Sequence, residues 1–279
     1  MSESDKYPAE SDRRRFVKGV VGGAALAGVG TAGSVTVNSL TSASGAGGGQ
    51  TTAMAIENTG GPAPRGMPQI PVEITDDGYL RGKWPKVTTE KQQGVQVKVA
   101  KEEMPGGVTY AGEWFQYCGL EGYENIEPTF ESDNIFRASS TGYDWQTQEY
   151  EAGEKVRADS FENYKQWGNG IGKAGVGKPI SATWRSKDAD NTIPVTVIRS
   201  DLIKEAAKDS KWLQESTEKG FIAWLNVCTH FCCVPGYKTT QDSASYGAAN
   251  GVYCPCHQST YDPFTIVETI FVANPRPED

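Results

Sequence analysis

Histidine is almost absent from this chain of 279 residues, which has only two, and basic residues do not outnumber acidic ones. With 27 Lys and Arg against 35 Asp and Glu, the formal net charge is −8 at pH 7. A nucleic-acid-binding surface needs an excess of positive charge, so this balance argues against nucleic acid as a partner. Because there are only two histidines, any site that uses imidazole has to use one or both of them.

Charged residues are also absent from one long stretch near the N-terminus, between Lys18 and Glu57. Within it, residues 19–40 are long enough to cross a bilayer, which takes roughly 20 apolar residues. The segment is rich in Gly, Ala, Ser and Thr, so two interpretations stay open. It is either a retained membrane anchor, which we favour, or the apolar part of a cleaved signal, for which Ala53-Met54-Ala55 offers a small-residue cleavage site.

Basic residues do occur just before that stretch, in Asp12-Arg13-Arg14-Arg15-Phe16-Val17-Lys18. This run resembles the twin-arginine export motif, and the alternative is the positive region of an ordinary secretory signal. We therefore predict that residues 1–40 are a twin-arginine signal or single-pass membrane anchor. Positive charges on its N-terminal side place that end in the cytoplasm and the rest of the protein on the extracytoplasmic face of the cell membrane.

The chain after residue 40 is predicted to divide into a flexible hinge over 41–60 and one domain over 61–279. The hinge prediction depends on residues 41–50, TSASGAGGGQ, whose composition is typical of a flexible linker. Two strands about an Asp76-Asp77-Gly78 turn open the domain, and alternating residues over 92–101 predict a half-buried strand. Residues 105–175 show no periodicity and are predicted to be an irregular insertion. Its aromatic residues either fill the core, which we favour, or form a docking surface.

Five of the six cysteines and both histidines fall in two short boxes near the C-terminus. The first box is Cys228-Thr229-His230-Phe231-Cys232-Cys233-Val234-Pro235-Gly236, and the second is Cys254-Pro255-Cys256-His257-Gln258-Ser259-Thr260-Tyr261-Asp262. Each box holds one Cys and one His at the spacing of metal ligands. Two thiolates and two imidazoles make a four-ligand site, which zinc would also accept.

The two boxes resemble those of the Rieske iron–sulfur proteins, in particular the Rieske subunits of cytochrome bc complexes. The resemblance implies one 2Fe–2S cluster per chain, with one iron bound by Cys228 and Cys254 and the other by His230 and His257. Neutral imidazole ligands raise the potential of such a cluster to roughly −150 to +300 mV, against about −400 mV for plant-type ferredoxins. The resemblance further implies a disulfide between Cys233 and Cys256. It also implies that Ser259 and Tyr261 donate hydrogen bonds to the cluster, which raise its potential.

Two residues depart from the Rieske pattern, Cys232 and Gln258, because both stand where glycine is usual. These departures count against the match, because a Cβ at either position could crowd a tight loop or demand a positive φ that a non-glycine residue resists. Cys232 and Cys118 are the cysteines without an assigned role. The alternatives for them are a further disulfide, which requires Cα atoms within about 7 Å, or two buried free thiols.

The segment before the first box also follows the order of a Rieske head. Residues 178–185 and 193–199 are predicted to pair as strands, Ser200 to cap a helix over about 201–215, and residues 221–227 to form an apolar strand. The expected fold is mainly β, a Rieske fold of antiparallel sheets with a cluster-binding subdomain over about 225–265. In the Rieske family a Gly-Pro-Ala-Pro stretch follows the second box, whereas here it begins at Gly61. We hypothesise a circular permutation in which residues 61–83 supply closing strands that the C-terminus lacks.

The resemblance implies a function in electron transfer from quinol to a haem or copper acceptor, with cytochrome b-type and c-type or copper-protein partners at a membrane. His257, with His230 beside it, is the expected contact for quinol, and the reduction potential is expected to fall as pH rises above neutral. The first alternative is the Rieske electron-transfer subunit of a molybdenum oxidase such as arsenite oxidase. Others are a Rieske ferredoxin, against which the box disulfide argues, and a zinc-stabilised binding module.

Overall fold

The computed structural model describes residues 48–92 and 94–277. The predicted signal or anchor over 1–40, and the part of the predicted hinge before residue 48, lie outside the described residues. Among those that are described, no helix is both long and apolar enough to cross a membrane.

Strands dominate the described part of the chain, and the prediction of a mainly β fold is confirmed. The strands are β1 Gly49–Gly60, β2 Met67–Ile70, β3 Val72–Ile74, β4 Leu80–Gly82, β5 Val87–Gln92, β6 Val95–Met104, β7 Val108–Ala111, β8 Arg137–Ala138, β9 Lys178–Trp184, β10 Ile193–Arg199, β11 Phe221–Leu225, β12 Gly236–Tyr237, β13 Val252–Cys254 and β14 Ser259–Ala273. The α-helices are α1 Asp144–Glu149, α2 Asp201–Ala206 and α3 Lys211–Ser216.

Nine strands form one antiparallel sheet in the order β12-β13-β14-β1-β2-β11-β10-β9-β8. A hairpin of β3 and β4 and a meander of β5, β6 and β7 form two smaller sheets. The predicted turn at Asp76-Asp77-Gly78 joins β3 to β4, with Gly78 at a φ of 84°. The predicted half-buried strand is β6, in which Val97 and Val99 are buried and Val95 is half exposed.

Strand β1 corrects the predicted hinge, because residues 49–60 pair with β14 from end to end, with register shifts after Ile56 and after Asn58. The pairing runs from Gly49 opposite Ala273 to Gly60 opposite Thr260. Gly49 and Gln50 look like linker residues in isolation, but Thr51–Ile56 carry strand-forming side chains that a partner strand can use. The domain therefore begins at or before residue 49 and not at residue 61.

The candidate cleavage site at Ala53-Met54-Ala55 lies in the middle of β1. Ala53 and Ala55 are fully buried, and β1 is bonded to β14 on one side and β2 on the other. Cleavage there would remove half of a strand from the interior of the nine-stranded sheet. Packing in the sheet explains the small side chains, which argues against this position as the cleavage site of the signal alternative.

Strand β14 corrects a second prediction, because the C-terminus does supply a closing strand of 15 residues. The permutation hypothesis requires residues 61–83 to supply strands to the sheet that contains β9 and β10. Strand β2 is the part of this segment that does so. Ile70 pairs with Ala223 and Gln69 with Trp224 of β11, so β2 joins the sheet that contains β9 and β10. Residues 72–82 instead form the separate β3–β4 hairpin. The permutation itself stays a prediction.

The strands that lead to the first box match their predictions closely. β9 pairs with β10 from Lys178 opposite Arg199 to Trp184 opposite Ile193, and β10 pairs with β11. All five residues of β11 are buried, as expected for a short apolar run in the middle of a sheet. Cys228 follows this fully buried strand after only two intervening residues, so its position is fixed by the sheet.

The single helix predicted over 201–215 is two short helices. Ser200 Oγ accepts a hydrogen bond from the N–H of Leu202, which confirms the predicted cap. Ser210 caps the second helix in the same way, through the N–H of Leu213. A second N-cap residue allows a new helix to start in a new direction. In the first helix Leu202 is 47% exposed, whereas Ile203 is buried.

Residues 105–175 are irregular, as predicted, with short 3₁₀ turns, β7, β8 and α1 as their regular parts. Their aromatic side chains fill the core: the buried ones are Tyr110, Trp114, Phe115, Tyr117, Phe136, Tyr143, Phe161, Tyr164 and Trp167. Phe115 packs edge-on against Trp184 of β9, with ring centroids 5.3 Å apart. Core filling, and not an aromatic docking surface, is therefore what these residues provide.

Candidate metal centre

The first box forms a tight loop after β11. The N–H of Cys228 donates to the carbonyl of Cys233 at 2.8 Å, and the N–H of Cys232 donates to the carbonyl of Cys228 at 3.1 Å. Cys232 closes this turn at a φ of 62°. Of the two difficulties raised for a non-glycine residue here, the structure shows the positive φ, and the turn places Cys228 and His230 in the same tight loop.

The second box forms the connection between β13 and β14. Cys254 and Ser259 are paired at the end of the two strands, and the N–H of Gln258 donates to the carbonyl of Cys254 at 2.8 Å. Gln258 has a φ of 64°, again as predicted from its glycine-like position. The loop carries Cys256 and His257 to the surface while Cys254 stays at the buried end.

The four predicted ligands converge with the thiols inside and the imidazoles outside. Cys228 and Cys254 are both buried and both free, whereas His257 is exposed and His230 is half-buried. The two imidazole rings are 4.7 Å apart between centroids and nearly perpendicular. The two thiols therefore lie inside the domain, and the two imidazole rings lie next to each other at its surface.

One nitrogen of this site has no hydrogen-bond partner in the described part of the chain, as is expected of an atom that binds a metal. His230 Nδ1 is buried and has no hydrogen-bond partner among the described residues. A buried polar atom without a partner costs free energy, so such atoms call for an explanation. Coordination of a metal would supply the missing partner, so the donor set fits a Rieske cluster with sulfur ligands on one iron and nitrogen ligands on the other.

The thiol pair is electrostatically coupled. The hydrogen bond from Cys254, helped by those from Tyr261 and the backbone, lowers the pKa of Cys228 to about 5 although burial opposes this. The contact with Cys228, together with burial, raises the pKa of Cys254. At neutral pH the metal-free pair therefore holds one thiolate and one thiol. Because both ligands must be thiolates when metal is bound, cluster insertion displaces the remaining proton.

Tyr261 lies beside the sulfur of Cys228, with its hydroxyl oxygen 3.1 Å from Sγ. Burial raises the pKa of Tyr261, so the hydroxyl keeps its proton and can donate to a thiolate. Ser259 is also buried, and its Oγ accepts a hydrogen bond from the N–H of Ala63 at 3.1 Å. Both hydroxyls therefore occupy positions consistent with the roles that the resemblance implies.

A third segment, residues 61–65, covers the site and was not predicted to belong to it. Thr229 donates a hydrogen bond to the carbonyl of Arg65 at 2.6 Å, and Ala63 contacts Ser259, so this segment contacts both boxes. A Cβ on Gly61 would lie 2.5 Å from the carbonyl oxygen of Gln258, so only glycine fits there. The Gly-Pro-Ala-Pro stretch was the available signal in the sequence.

Two disulfides cross-link the loops of the two boxes, one between the boxes and one to a distant segment. Cys233 and Cys256 join the two boxes, with Cα atoms 6.6 Å apart, as the resemblance implies. Cys118 and Cys232 form the third cysteine pair that the sequence left open, with Cα atoms 5.3 Å apart. The sulfurs of Cys233, Cys254 and Cys256 lie within 4.8 Å of one another. Since two of these three are oxidised to a disulfide, only Cys254 can serve as a thiolate ligand.

Replacing Tyr261 by Phe is expected to lower the reduction potential of the cluster without loss of the cluster. The lost hydrogen bond stabilises the more negative, reduced state. A differential effect of about 1 kcal/mol corresponds to roughly 40 mV for one electron. A redox titration followed by electron paramagnetic resonance measures this shift, and Ser259→Ala should change the potential in the same direction.

The matched control is Tyr237→Phe. Tyr237 is buried in the same part of the fold, and its hydroxyl has no hydrogen-bond partner among the described residues. Its removal should leave the potential unchanged. Equal shifts in both variants would show that the contact between Tyr261 and Cys228 does not set the potential.

Comparison with known proteins supports the same centre. The chain is 30% identical over 93 residues to the ubiquinol-cytochrome c reductase iron-sulfur subunit of Rickettsia conorii, which is 31% of this chain and 49% of that protein. It is 34% identical over 92 residues to the mitochondrial cytochrome b-c1 complex subunit Rieske of Bos taurus, covering 31% of this chain and 27% of that protein. The chain thus spans about half or less of the length of these relatives. No family model and no solved structure matches the chain.

These relatives are named as iron–sulfur or Rieske subunits, which agrees with the ligand set that the structure brings together. The prediction of a Rieske-type 2Fe–2S cofactor is confirmed by that agreement. Over about a third of its length the chain is similar to the Rieske iron–sulfur subunits of ubiquinol–cytochrome c reductases, as the two boxes predict.

Proposed function

We propose that this chain is the Rieske subunit of a cytochrome bc-type complex, with a 2Fe–2S cluster held by Cys228, Cys254, His230 and His257. The observation that carries the proposal is the arrangement of the four predicted ligands, in which the thiols are buried and the imidazoles lie at the surface. The names of the relatives, which are subunits of quinol-oxidising complexes, support the same class of reaction. When bound, the cluster would accept one electron from quinol and pass it to a haem or copper acceptor.

The imidazole side of the site is the part of this chain that quinol can reach. His257 is exposed, so its distal ring nitrogen can accept a hydrogen bond or a proton from a quinol hydroxyl, with His230 beside it. The buried thiols on the opposite side are shielded from water. Side-chain exposure therefore supports a role for His257 in substrate contact and for Cys228 and Cys254 in anchoring the cluster.

One apolar side chain lies against the two imidazoles, and a second is exposed in the same loop. Phe231 is 66% exposed and Val234 is 57% exposed, although both are large and hydrophobic. The Phe231 ring centroid lies 4.3 Å from that of His230 and 5.2 Å from that of His257. An exposed apolar patch at a functional site is typical of a docking surface. We assign this patch to contact with the membrane-embedded, quinol-binding b-type subunit.

Replacing Phe231 by Ser is expected to lower quinol oxidation by the complex by about tenfold, the size of effect typical of an aromatic anchor at an interface. The cluster spectrum and reduction potential should stay close to those of wild type, because Phe231 is not a ligand. Val272→Ser is the matched control. Val272 is 54% exposed, but it lies at the end of β14 that is far from the second box. Equal losses in both variants would contradict docking through Phe231.

One observation favours the second candidate, an electron-transfer subunit of a molybdenum oxidase such as arsenite oxidase. Residues 49–60, part of the predicted hinge, are a paired strand and cannot serve as a tether. A hinge matters for a head that moves between two partners, and a fixed small subunit does not need one. Purification of the native assembly separates the two. A co-purifying b-type haem in the membrane fraction supports the bc-type function, whereas a large molybdenum-containing subunit contradicts it.

A further inference from the structure

The loop of the first box is tied to a segment more than one hundred residues earlier in the chain. We call residues 116–118 the brace. Cys118 is disulfide-bonded to Cys232, across a sequence separation of 114 residues. The Tyr117 hydroxyl donates to the carbonyl of Val227 at 2.8 Å, and Cys118 Sγ lies 3.8 Å from the carbonyl oxygen of Cys228. The brace therefore contacts the backbone at the start of the loop that carries Cys228 and His230, and it is cross-linked to Cys232 near the end of that loop.

The brace is itself held firmly. The N–H of Asn274 donates to the carbonyl of Gln116 at 2.7 Å, and the Tyr117 ring packs edge-on against Phe271 of β14 at 5.0 Å. Phe115, the preceding residue, is fully buried in the core. A segment fixed on three sides can restrain the loop that it touches, because movement of the loop would disturb the core of the domain.

The bond from Cys232 explains why a residue other than glycine occupies this turn. Cys232 has a φ of 62° and its partner Cys118 a φ of 59°, both in the left-handed region that side chains resist. Such conformations persist where the surroundings over-determine them. Cys232 and Cys233 are neighbours in sequence, yet one bonds to the brace and the other to Cys256 of the second box. The loop is thus cross-linked in two directions.

From these contacts we infer that the brace is a positioning device for the first cluster loop. Tyr117 and the bond between Cys118 and Cys232 hold Cys228 and His230 in place independently of the bond between Cys233 and Cys256. The protein then keeps its cluster when the inter-box disulfide is reduced or removed. This inference rests on the proposed function, since it concerns the same ligand loop.

The cluster-bound test compares Cys233→Ala/Cys256→Ala with the same protein that also carries Cys118→Ala/Cys232→Gly. The second pair of changes removes the brace disulfide and puts glycine in the turn at φ 62°. We expect bleaching of the visible absorbance by a chelator to be about tenfold or more faster without the brace disulfide, because loop opening becomes local and frequent. Bleaching rates within twofold of each other would overturn the inference.

The metal-free test uses hydrogen exchange of the apoprotein and the variant Tyr117→Phe. The matched control is Tyr110→Phe, because Tyr110 is equally buried and its hydroxyl also donates to a backbone carbonyl, that of Lys83 at 2.7 Å. Peptides covering residues 226–234 should exchange about tenfold faster in Tyr117→Phe and not in Tyr110→Phe. Equal exchange in both variants would overturn the positioning role and leave only a general effect on stability.

The two tests keep the inference separate from the proposed function. A wild-type protein that binds zinc, or no cluster, would end the Rieske function, while the exchange of residues 226–234 in the apoprotein would still decide the role of the brace. A wild-type protein with a Rieske spectrum but no effect of Tyr117→Phe on exchange would leave the function intact and end the positioning role.

Discussion

Cys254→Ser is expected to yield a folded protein without iron, acid-labile sulfide or visible absorbance. Cys254 is fully buried and provides one of only two free thiols in the described part of the chain. The nearest other sulfurs, those of Cys233 and Cys256, are joined in a disulfide and cannot replace it. A serine hydroxyl in this buried place is a poor substitute, because the ligand must be an anion and hydroxyls hold their protons far more tightly than thiols.

Metal and sulfide analysis with electron paramagnetic resonance measures this loss. Gln258→Gly is the control, because Gln258 lies in the same loop, is exposed and has the positive φ that glycine adopts freely. That variant should keep a full cluster. Retention of a full Rieske signal in Cys254→Ser would show that the ligand assignment is wrong, and stoichiometric zinc in the wild type would replace the iron–sulfur centre by a structural site.

Arg185→Met is expected to destabilise the fold by about 3–5 kcal/mol, the range typical of a buried charged group removed from its partners. Arg185 is 1% exposed and stacks on Trp84 with its guanidinium carbon 3.9 Å from the ring centroid. Its nitrogens donate to carbonyl oxygens and not to a carboxylate. The acceptors are the main-chain carbonyls of Asn125, Glu127 and Phe130 and the side chain of Asn134.

Burial lowers the pKa of Arg185 to about 10, which leaves the side chain charged at neutral pH. Its removal leaves buried carbonyl groups of the insertion without donors, and each such group costs about 1–3 kcal/mol. The methionine side chain fills the space but has no hydrogen-bond donor for these carbonyl groups. Segment 125–134, which has little regular structure of its own, would therefore lose its attachment to the end of β9.

Denaturant unfolding monitored by tryptophan fluorescence measures this change in the free energy of unfolding. Arg157→Met is the matched control, since Arg157 pairs with Asp159 at 2.9 Å but both side chains are about half exposed. Exposed ion pairs contribute roughly 0–1 kcal/mol, so this variant should be close to wild type. A loss below about 1 kcal/mol for Arg185→Met would contradict the role of the guanidinium as an organiser of the insertion.

Local patterns were sufficient where neighbouring residues decide the structure. The strand from Phe221 runs into Cys228 as predicted, Ser200 caps a helix, and the turn at Asp76-Asp77-Gly78 joins two paired strands. Backbone demands could be anticipated too, since Cys232 and Gln258 both adopt the positive φ expected of their positions. These features depend on a few consecutive residues, so composition and spacing carry the information.

Features that depend on distant partners were missed or left open. Residues 49–60 were placed in the predicted hinge because they follow the Gly- and Ser-rich run 41–50, and it is their pairing with the distant strand β14 that makes them part of the domain. Ala53 and Ala55 match a cleavage site in isolation and are core residues in the fold. The bond between Cys118 and Cys232 remained one of two alternatives, because sequence alone does not give the distance between Cα atoms.

The amino-acid sequence alone determined the chemistry of the centre, because the two thiol and two imidazole donors lie within two boxes of nine residues each. Residue types at fixed spacing are sufficient to identify a ligand set. Tertiary structure alone decided what surrounds that set: a strand taken from the expected hinge, a cover formed by residues 61–65, and a brace from the insertion. These neighbours come from segments far apart in the chain, and their packing is set by which surfaces are complementary once the sheet has formed.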